Sequence, residues 1–326
     1  MQRCKVGSEF SSWVELLVGF PQGSVLGPLL FNIFFNDFLF FATDSYICNF
    51  ADDQTIYCFG NNTESVTSKL ENDTSIAMKW FKNNSLVPNP EKFQLMLLGT
   101  TKRIPLCLEI NGRRTISTFE MILLGVTIDW KLNFNKHTNL ICDNVSKKVS
   151  ALMRLRCTLS TAQKLTLLNS YVMSNFKYCQ TVWMFHGKVV NDRIDRIHKR
   201  ALRAVYNDFT SSYQQLLSKG SHQTIHQQNL RALCLKVFKS VNGYCPKFIN
   251  DMLTTKVSIY NLRIQNLLIL PETSTITYGL HSFKYRASST WNSLDDEVKN
   301  SSFVSTCKRK LKTISIVCSC KLCLKS

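Results

Sequence analysis

Apolar and polar positions along the chain follow two periods. In Tyr46-Ile47-Cys48-Asn49-Phe50-Ala51-Asp52-Asp53-Gln54-Thr55-Ile56-Tyr57-Cys58-Phe59, two β-rich halves flank a carboxylate pair, which predicts a hairpin with Asp52 and Asp53 at its turn. Residues 11–18 and 93–98 also have strand character. After the turn-forming run Gly19-Phe20-Pro21-Gln22-Gly23-Ser24, apolar residues recur at helical spacing through Leu26, Leu30, Ile33, Phe34 and Phe38, predicting a buried helix over 26–39. A second helix is expected over 64–82, with Val66, Leu70, Ala77, Trp80 and Phe81 facing inward. Beyond Lys102 the pattern becomes one of helices separated by short polar turns. Residues 139–156 place Ile141, Val145, Val149 and Leu152 on one stripe. Residues 191–206 place Ile194, Ile197, Ala201 and Val205 on one face and Arg193, Arg196, Arg200 and Arg203 on another. No internal repeat of solenoid period is present.

Composition narrows the class. The 326 residues include 21 Phe, 10 Tyr and 5 Trp, and 44% are hydrophobic, which excludes a wholly disordered chain and suggests two or three domains. The first nine residues lack the apolar segment of a secretory signal, so an intracellular protein, cytoplasmic or nuclear and not secreted, is expected. Its 13 cysteines are then expected to be thiols rather than a disulfide framework. The apolar stretch 25–42 approaches the length of a membrane span, but Pro28, Asn32, Asn36 and Asp37 interrupt it, and buried core is the better reading.

Charge separates the two ends. Of 40 Lys and Arg and 22 Asp and Glu, residues 1–100 hold six and ten, leaving 34 and 12 for residues 101–326. A strongly basic rear of this kind suits a polyanionic partner, and nucleic acid is the first candidate, no membrane association being expected; a merely solvated basic surface is the alternative.

The adjacent carboxylates are where chemistry enters. Two like charges a few ångströms apart disfavour each other's ionisation unless a cation neutralises them. Mg2+, with Mn2+ as a substitute, takes oxygen ligands and keeps substrate phosphates in its shell, which leads to metal-dependent phosphoryl transfer. Alone the pair says little, since Asp295-Asp296 repeats it in the same chain.

Its setting says more. The run from Gly19 through Pro21-Gln22-Gly23 to Asn36-Asp37, followed by Phe50-Ala51-Asp52-Asp53, resembles the reverse transcriptase of non-LTR, LINE-like retrotransposons. Trp80, Asn84, Leu86, Asn89 and Lys92 resemble the family's next palm motif, and Leu124-Gly125-Val126-Thr127-Ile128-Asp129 the stretch near the primer grip. Farther on, Tyr178-Cys179, Trp183, 197–203, Tyr260-Asn261-Leu262-Arg263, Trp291 and the last cysteines are similar to the helical and C-terminal parts of such elements. Gly19 to Gly27 lacks the Gly-Lys-Ser/Thr ending of a P-loop.

The resemblance implies an α+β fold: a partial polymerase palm over 1–100, lacking fingers and the first palm strand, then a connection and thumb-like helical region over 101–185 and a basic C-terminal region over 186–326. It implies RNA-directed DNA polymerase activity on an RNA template and DNA primer with dNTPs. Asp52 and Asp53 would hold the metal, and Lys92 would steady the leaving phosphate. Pro21, Gln22, Gly23, Phe50 and Ala51 would contact template and nucleotide. Arg193, Arg196, Arg200 and Arg203 would follow phosphates. The family's preceding catalytic aspartate has no counterpart, Glu9 and Glu15 being the only acids before Gly19, and Pro88 and Phe93 replace a preferred leucine and a small hydroxyl residue. An N-terminally truncated and catalytically impaired polymerase is therefore expected, with an uncovered sheet edge. A non-catalytic nucleic-acid-binding remnant and an idle fragment are the other two readings.

Two smaller signals remain. Cys318, Cys320 and Cys323, with Cys307 as a fourth thiol, match no common zinc spacing, and unliganded thiols are expected. His222 and His226 would stand one helical turn apart without a metalloprotease glutamate, and ordinary surface histidines are expected.

Overall fold

The computed structural model describes every residue except 16–18, 20–22, 101, 186, 257–265, 319 and 321–326, together with one side chain. The described residues form two compact units, Met1–Thr118 and Phe119–Ser326.

In the first unit the strands are β1 (Lys5–Val6), β2 (Glu9–Phe10), β3 (Tyr46–Phe50), β4 (Asp53–Tyr57), β5 (Cys107–Ile110) and β6 (Arg113–Ile116), paired as three antiparallel hairpins. Helices α1 (Gly27–Phe35) and α2 (Thr63–Asn83) pack with them. The Asn62 side chain starts α2 by accepting the Ser65 N–H at 2.8 Å, satisfying one of the donors that a helix start leaves over. Around Trp80 of α2 lie Phe35 and Phe38, with ring centroids 5.0 and 4.9 Å away, and Ala77 and Phe81 complete this core. Ile47 and Ile56, opposite each other on β3 and β4, pack against it. A second small cluster joins Leu70, Leu95, Leu106 and Leu108.

Several expectations are corrected here. The 26–39 helix exists as α1 followed by a 3-10 turn (Asn36–Phe40), and of the expected stripe Phe38 is buried, but Leu26, Leu30, Ile33 and Phe34 are exposed, with Gly27 and Phe35 buried in their place. With apolar residues on nearly every side of α1, spacing alone could not select the buried side. Residues 93–98 form no strand: Leu95 packs in the core, and its carbonyl accepts the Thr118 N–H at 2.8 Å without joining a ladder. Residues 11–15 form only an isolated bridge, Gln2 to Val14, and 16–18 lie outside the described residues.

The second unit opens with a hairpin, β7 (Glu120–Leu123) and β8 (Val126–Asp129), turned by Leu124 and Gly125 at φ 47° and 76°, the positive pair that a type I′ turn requires. The expected run of helices beyond Lys102 therefore begins only after β5 to β8. They are α3 (Asn135–Arg154), α4 (Thr161–Leu167), α5 (Ser174–Lys177), α6 (Gln180–Trp183), α7 (Lys188–Tyr206), α8 (Tyr213–Lys219), α9 (Ile225–Val241), α10 (Lys247–Asn250), α11 (Phe283–Asn292), α12 (Asp296–Lys299) and α13 (Val304–Thr313). A stretch of π-helix (Leu168–Met173) joins α4 to α5. Capping boxes at Ser160 and Ser212 start α4 and α8.

Two cores fill this unit. One gathers α3, the 168–176 stretch, Trp183, α7 and α8; the other gathers α9, α11, α12, α13 and the segment from Ile316 to Cys320 around Trp291 and Phe238. Of the expected stripes, Val145, Val149, Leu152 and Ile194, Ile197, Ala201, Val205 are buried, and Ile141 is half-buried against the same core. Among the described residues no helix is long and apolar enough to cross a membrane.

Candidate active site

The β3–β4 hairpin places Phe50, Ala51, Asp52 and Asp53 together at one tip. Its register pairs Phe50 with Asp53, so Ala51 and Asp52 make the two-residue turn and Asp53 is the first residue of β4. Ala51 has φ 52°, in the left-handed region, as the first central residue of a type II′ turn does. A non-glycine residue there costs about 1–2 kcal/mol. The Gln54 side-chain amide donates to the Asp52 carbonyl at 2.6 Å, bracing the turn from the following strand. All four tip residues are exposed.

The hairpin's entry is held from α2. Asp73, 2% exposed, accepts the Thr43 N–H at 3.1 Å, the Thr43 hydroxyl at 3.0 Å and the Asp44 N–H at 3.1 Å, two residues before β3 begins. Burial pushes its carboxyl up, but hydrogen bonds from Thr43, Ser45 and Asp44 outweigh that and hold it below the usual carboxylate range. The sequence reading did not single out Asp73. Its one available signal was a charged residue on the inward side of an amphipathic helix.

The remaining expected residues are more dispersed. Gly23, at φ 84°, is a turn residue before α1, a conformation suited to glycine. Pro21 and Gln22 lie outside the described residues, as do Tyr260, Asn261, Leu262, Arg263 and Cys323. Lys92 ends a 3-10 turn (Pro90–Lys92) that starts where the Asn89 side chain accepts the Glu91 N–H at 3.0 Å. Lys92 is exposed, and no ion pair among the described residues joins it to Asp52 or Asp53.

Asp52 and Asp53 offer hard oxygen donors suited to Mg2+. No third His, Cys, Asp or Glu among the described residues makes a metal-binding group with them. The pair therefore supplies part of the donor set that a divalent cation would need. Asp129, the acid ending the Leu124–Asp129 stretch, is occupied in structure: its carboxylate accepts the N–H groups of Lys131, Asn133 and Phe134 at 3.1, 3.3 and 2.8 Å, closing the turn into α3.

On α7 the four arginines divide. Arg193 donates to Asn139 Oδ1 at 2.7 Å and pairs with Asp143 at 2.6 Å, both on α3, and Arg200 donates to the Ser150 hydroxyl at 3.2 Å. Arg196 is exposed and donates to the Asp192 carbonyl of its own helix at 3.2 Å, while Arg203 is half-buried. Part of this basic face thus clips α7 to α3.

The histidine expectation is overturned. His222 lies before α9, not in it, and its Nε2 is 2.8 Å from the Tyr206 hydroxyl, while His226 is buried near Cys318 and Cys320. Cys307 sits in the apolar core of α9, α11 and α13 outside that group, and burial pushes its thiol up to about 11.

The hairpin lies inside a region that comparison with known proteins matches to a family. The family model for reverse transcriptase (RNA-dependent DNA polymerase) matches residues 6–168. The chain is 25% identical over 213 residues to a probable RNA-directed DNA polymerase from transposon BS of Drosophila melanogaster, covering 62% of this chain and 24% of that protein. It is 27% identical over 177 residues to a Pol polyprotein from the type-1 retrotransposable element R1 2 of Nasonia vitripennis, covering 51% and 43%. It is 26% identical over 205 residues to the RNA-directed DNA polymerase from mobile element jockey of Drosophila melanogaster, covering 60% and 22%. The chain thus spans less than half the length of each of these relatives, and no solved structure matches it. With the model spanning half of the chain and the acidic hairpin inside the matched region, the chain belongs to the reverse transcriptase (RNA-dependent DNA polymerase) family, of the type carried by non-LTR retrotransposons.

Proposed function

We propose that residues 1–100, within the first unit, are the metal-binding part of an RNA-directed DNA polymerase palm, and that the basic helices of the second unit contact the template–primer duplex. The observation that carries this reading is the β3–β4 tip: two adjacent carboxylates on a braced turn, inside the region matched by the family. Asp52 and Asp53 hold Mg2+, which Mn2+ can replace, and the metal supplies charge neutralisation for nucleotidyl transfer to a primer 3′ end. Ala51 and Phe50 lie under the incoming nucleotide, Pro21, Gln22 and Gly23 line template and nucleotide, and Lys92 neutralises the departing pyrophosphate. In this reading residues 1–100 are palm, 101–185 connection and thumb-like, and 186–326 the nucleic-acid-binding C-terminal part.

Two carboxylates hold a two-metal centre incompletely. Losing one ligand of such a centre costs several kcal/mol of transition-state stabilisation, on the order of a thousandfold or more in rate. The 326-residue chain by itself is therefore expected to give no appreciable primer extension on an RNA template with Mg2+. Extension that is lost in Asp52→Ala would uphold the assignment of Asp52 and overturn the impairment; extension that survives Asp52→Ala would overturn the assignment itself.

The charge of residues 101–326, with 34 basic against 12 acidic residues, favours a second reading in which nucleic-acid binding persists without catalysis. Phosphate neutralisation releases counterions, so affinity should fall steeply with salt. Arg196 and Arg200 are the exposed pair of the α7 face. Replacing Arg193, Arg196, Arg200 and Arg203 with Gln should weaken DNA and RNA binding alike and flatten the salt slope, because phosphate contacts carry no base information. An unchanged slope would return that face to its packing role.

A further inference from the structure

The described end of the chain folds back onto α9. Gln227 grips residue 316 as a strand neighbour would: its side-chain amide donates to the Ile316 carbonyl at 2.9 Å, and its Oε1 accepts the Ile316 N–H at 3.0 Å. Arg231, one turn farther along α9, donates to the Lys312 carbonyl, and the Ser293 hydroxyl donates to the Val317 carbonyl at 2.9 Å. Ile316, Cys318 and Cys320 are buried while Val317 is exposed, the period of two that sends alternate side chains to one side. That side faces the first turn of α9, where His226 stands.

The result is a convergence of three metal-binding side chains from two parts of the second unit, the first turn of α9 and the returning segment more than 90 positions later. Cys320 Sγ lies 3.5 Å from His226 Nε2, and the ligand atoms of His226, Cys318 and Cys320 all lie within 4.8 Å of one another. They are 8, 3 and 6% exposed. Among the described residues this is the only such group. With Zn–S about 2.3 Å and Zn–N about 2.0–2.1 Å, the edges of a tetrahedral zinc site are about 3.5–3.8 Å. The Cys320–His226 separation already has that length, and the other separations need close by no more than about 1.3 Å.

We propose that His226, Cys318 and Cys320 bind a zinc ion that locks the end of the chain to the start of α9. The donor set selects the metal: two thiolates and an imidazole with no carboxylate suit Zn2+ and disfavour Mg2+ and Ca2+. Binding displaces the two thiol protons to solvent and leaves both sulfurs as thiolates neutralised by the ion, removing the desolvation penalty that a buried thiolate otherwise carries. The metal closes the core around Trp291 where the returning segment covers it. This site lies within the second unit and is independent of the polymerase reading.

The test uses the full 326-residue chain. Purified protein should carry one zinc per chain by mass spectrometry of the metal, and Co2+ in its place should give the intense visible absorption of a tetrahedral thiolate site. His226→Ala and the double variant Cys318→Ser/Cys320→Ser should weaken zinc binding on the order of a hundredfold or more in competition with a chromophoric chelator. His226→Cys should retain zinc, which a merely structural histidine would not explain, and Cys157→Ser, at an exposed thiol outside the group, should bind as the parent does. If the variants fail to fold, the parent decides. Zn2+ should protect Cys318 and Cys320 from alkylation, EDTA should restore their reaction, and Cys157 should react throughout. Substoichiometric zinc, zinc retained in the His226→Ala and double-cysteine variants, or equal alkylation with and without Zn2+ would overturn the proposal.

Discussion

The two units are stabilised in different ways. The first rests on one aromatic cluster around Trp80 and one small aliphatic cluster, and it leaves Val25, Leu26, Ile33 and Phe40 between 63 and 95% exposed. The second buries two large cores between layers of helix. The acidic tip stands in the first unit, and the basic helices and the His–Cys–Cys group stand in the second. The difference teaches that the family's chemical motif depends on hydrogen bonds to a turn and one seam of packing, whereas the helical remainder is held by burial.

Removing Trp80 tests this comparison most severely. Trp80→Ala takes out the ring that Phe35 and Phe38 meet edge to face, and large-to-small aromatic changes cost about 3–5 kcal/mol. Hydrogen exchange followed by peptide mass spectrometry should show protection lost across α2 and the β3–β4 hairpin while α7 and α9 stay protected. Equal loss in both units would show that they unfold together and would remove the distinction.

Acid should separate the units in the opposite order. All six histidines lie in the second unit. Burial lowers the pKa of His137, His198 and His222, that of His198 to about 3, with the charge on His222 adding to the effect at His198. His137 Nδ1 accepts the Thr127 N–H at 3.2 Å, a bond that protonation removes. A histidine whose folded pKa is depressed contributes stability that is complete above its unfolded value near 6.5 and is lost as pH falls toward the folded value. For His198, whose folded value is about 3, the loss is about 1.4 kcal/mol per pH unit between the two values. In the first unit the corresponding group is Asp73, also depressed, so its contribution is present above the ordinary aspartate value near 3.8 and is lost only below it. Exchange at pH 5 should therefore accelerate in α7 and at β8 before it accelerates in α2. The reverse order would sink this account.

The smallest effect sharpens the picture of the tip. Ala51→Gly relieves the left-handed strain at φ 52°, offset in part by the freedom glycine gains in the unfolded chain, and a net stabilisation of about 0.5–1 kcal/mol is expected. It should appear as slower exchange confined to residues 46–57. Faster exchange there would mean that the methyl group, not the turn geometry, is what holds the tip.

Elements built from local contacts were legible in the sequence. The β3–β4 hairpin declares itself because its alternation and two-residue turn lie within one short window, and α2 and α7 do so because polar and apolar sides separate at the helical period. The β5–β6 hairpin carried a readable signal that was passed over: Asn111-Gly112, whose φ values of 53° and 75° are those of a type I′ turn. The buried side of α1 was not readable, since a helix apolar all round carries no period to choose a side. Among the acids, sequence distinguished Asp52 and Asp53 by their motif, but it could not tell that Asp129 closes a turn or that Asp73 braces Thr43 and Asp44.

By itself the sequence determined the family, the α+β character, the acidic tip and the basic remainder, because these depend on residues adjacent in the chain or on sums over it. Only the tertiary structure decided which apolar residues of α1 are buried, that Arg193 and Arg200 engage α3, and that His226 meets Cys320 across 94 positions of sequence. Those outcomes depend on which surfaces helices present to one another, and packing of whole elements, not the pattern within any one of them, sets that choice.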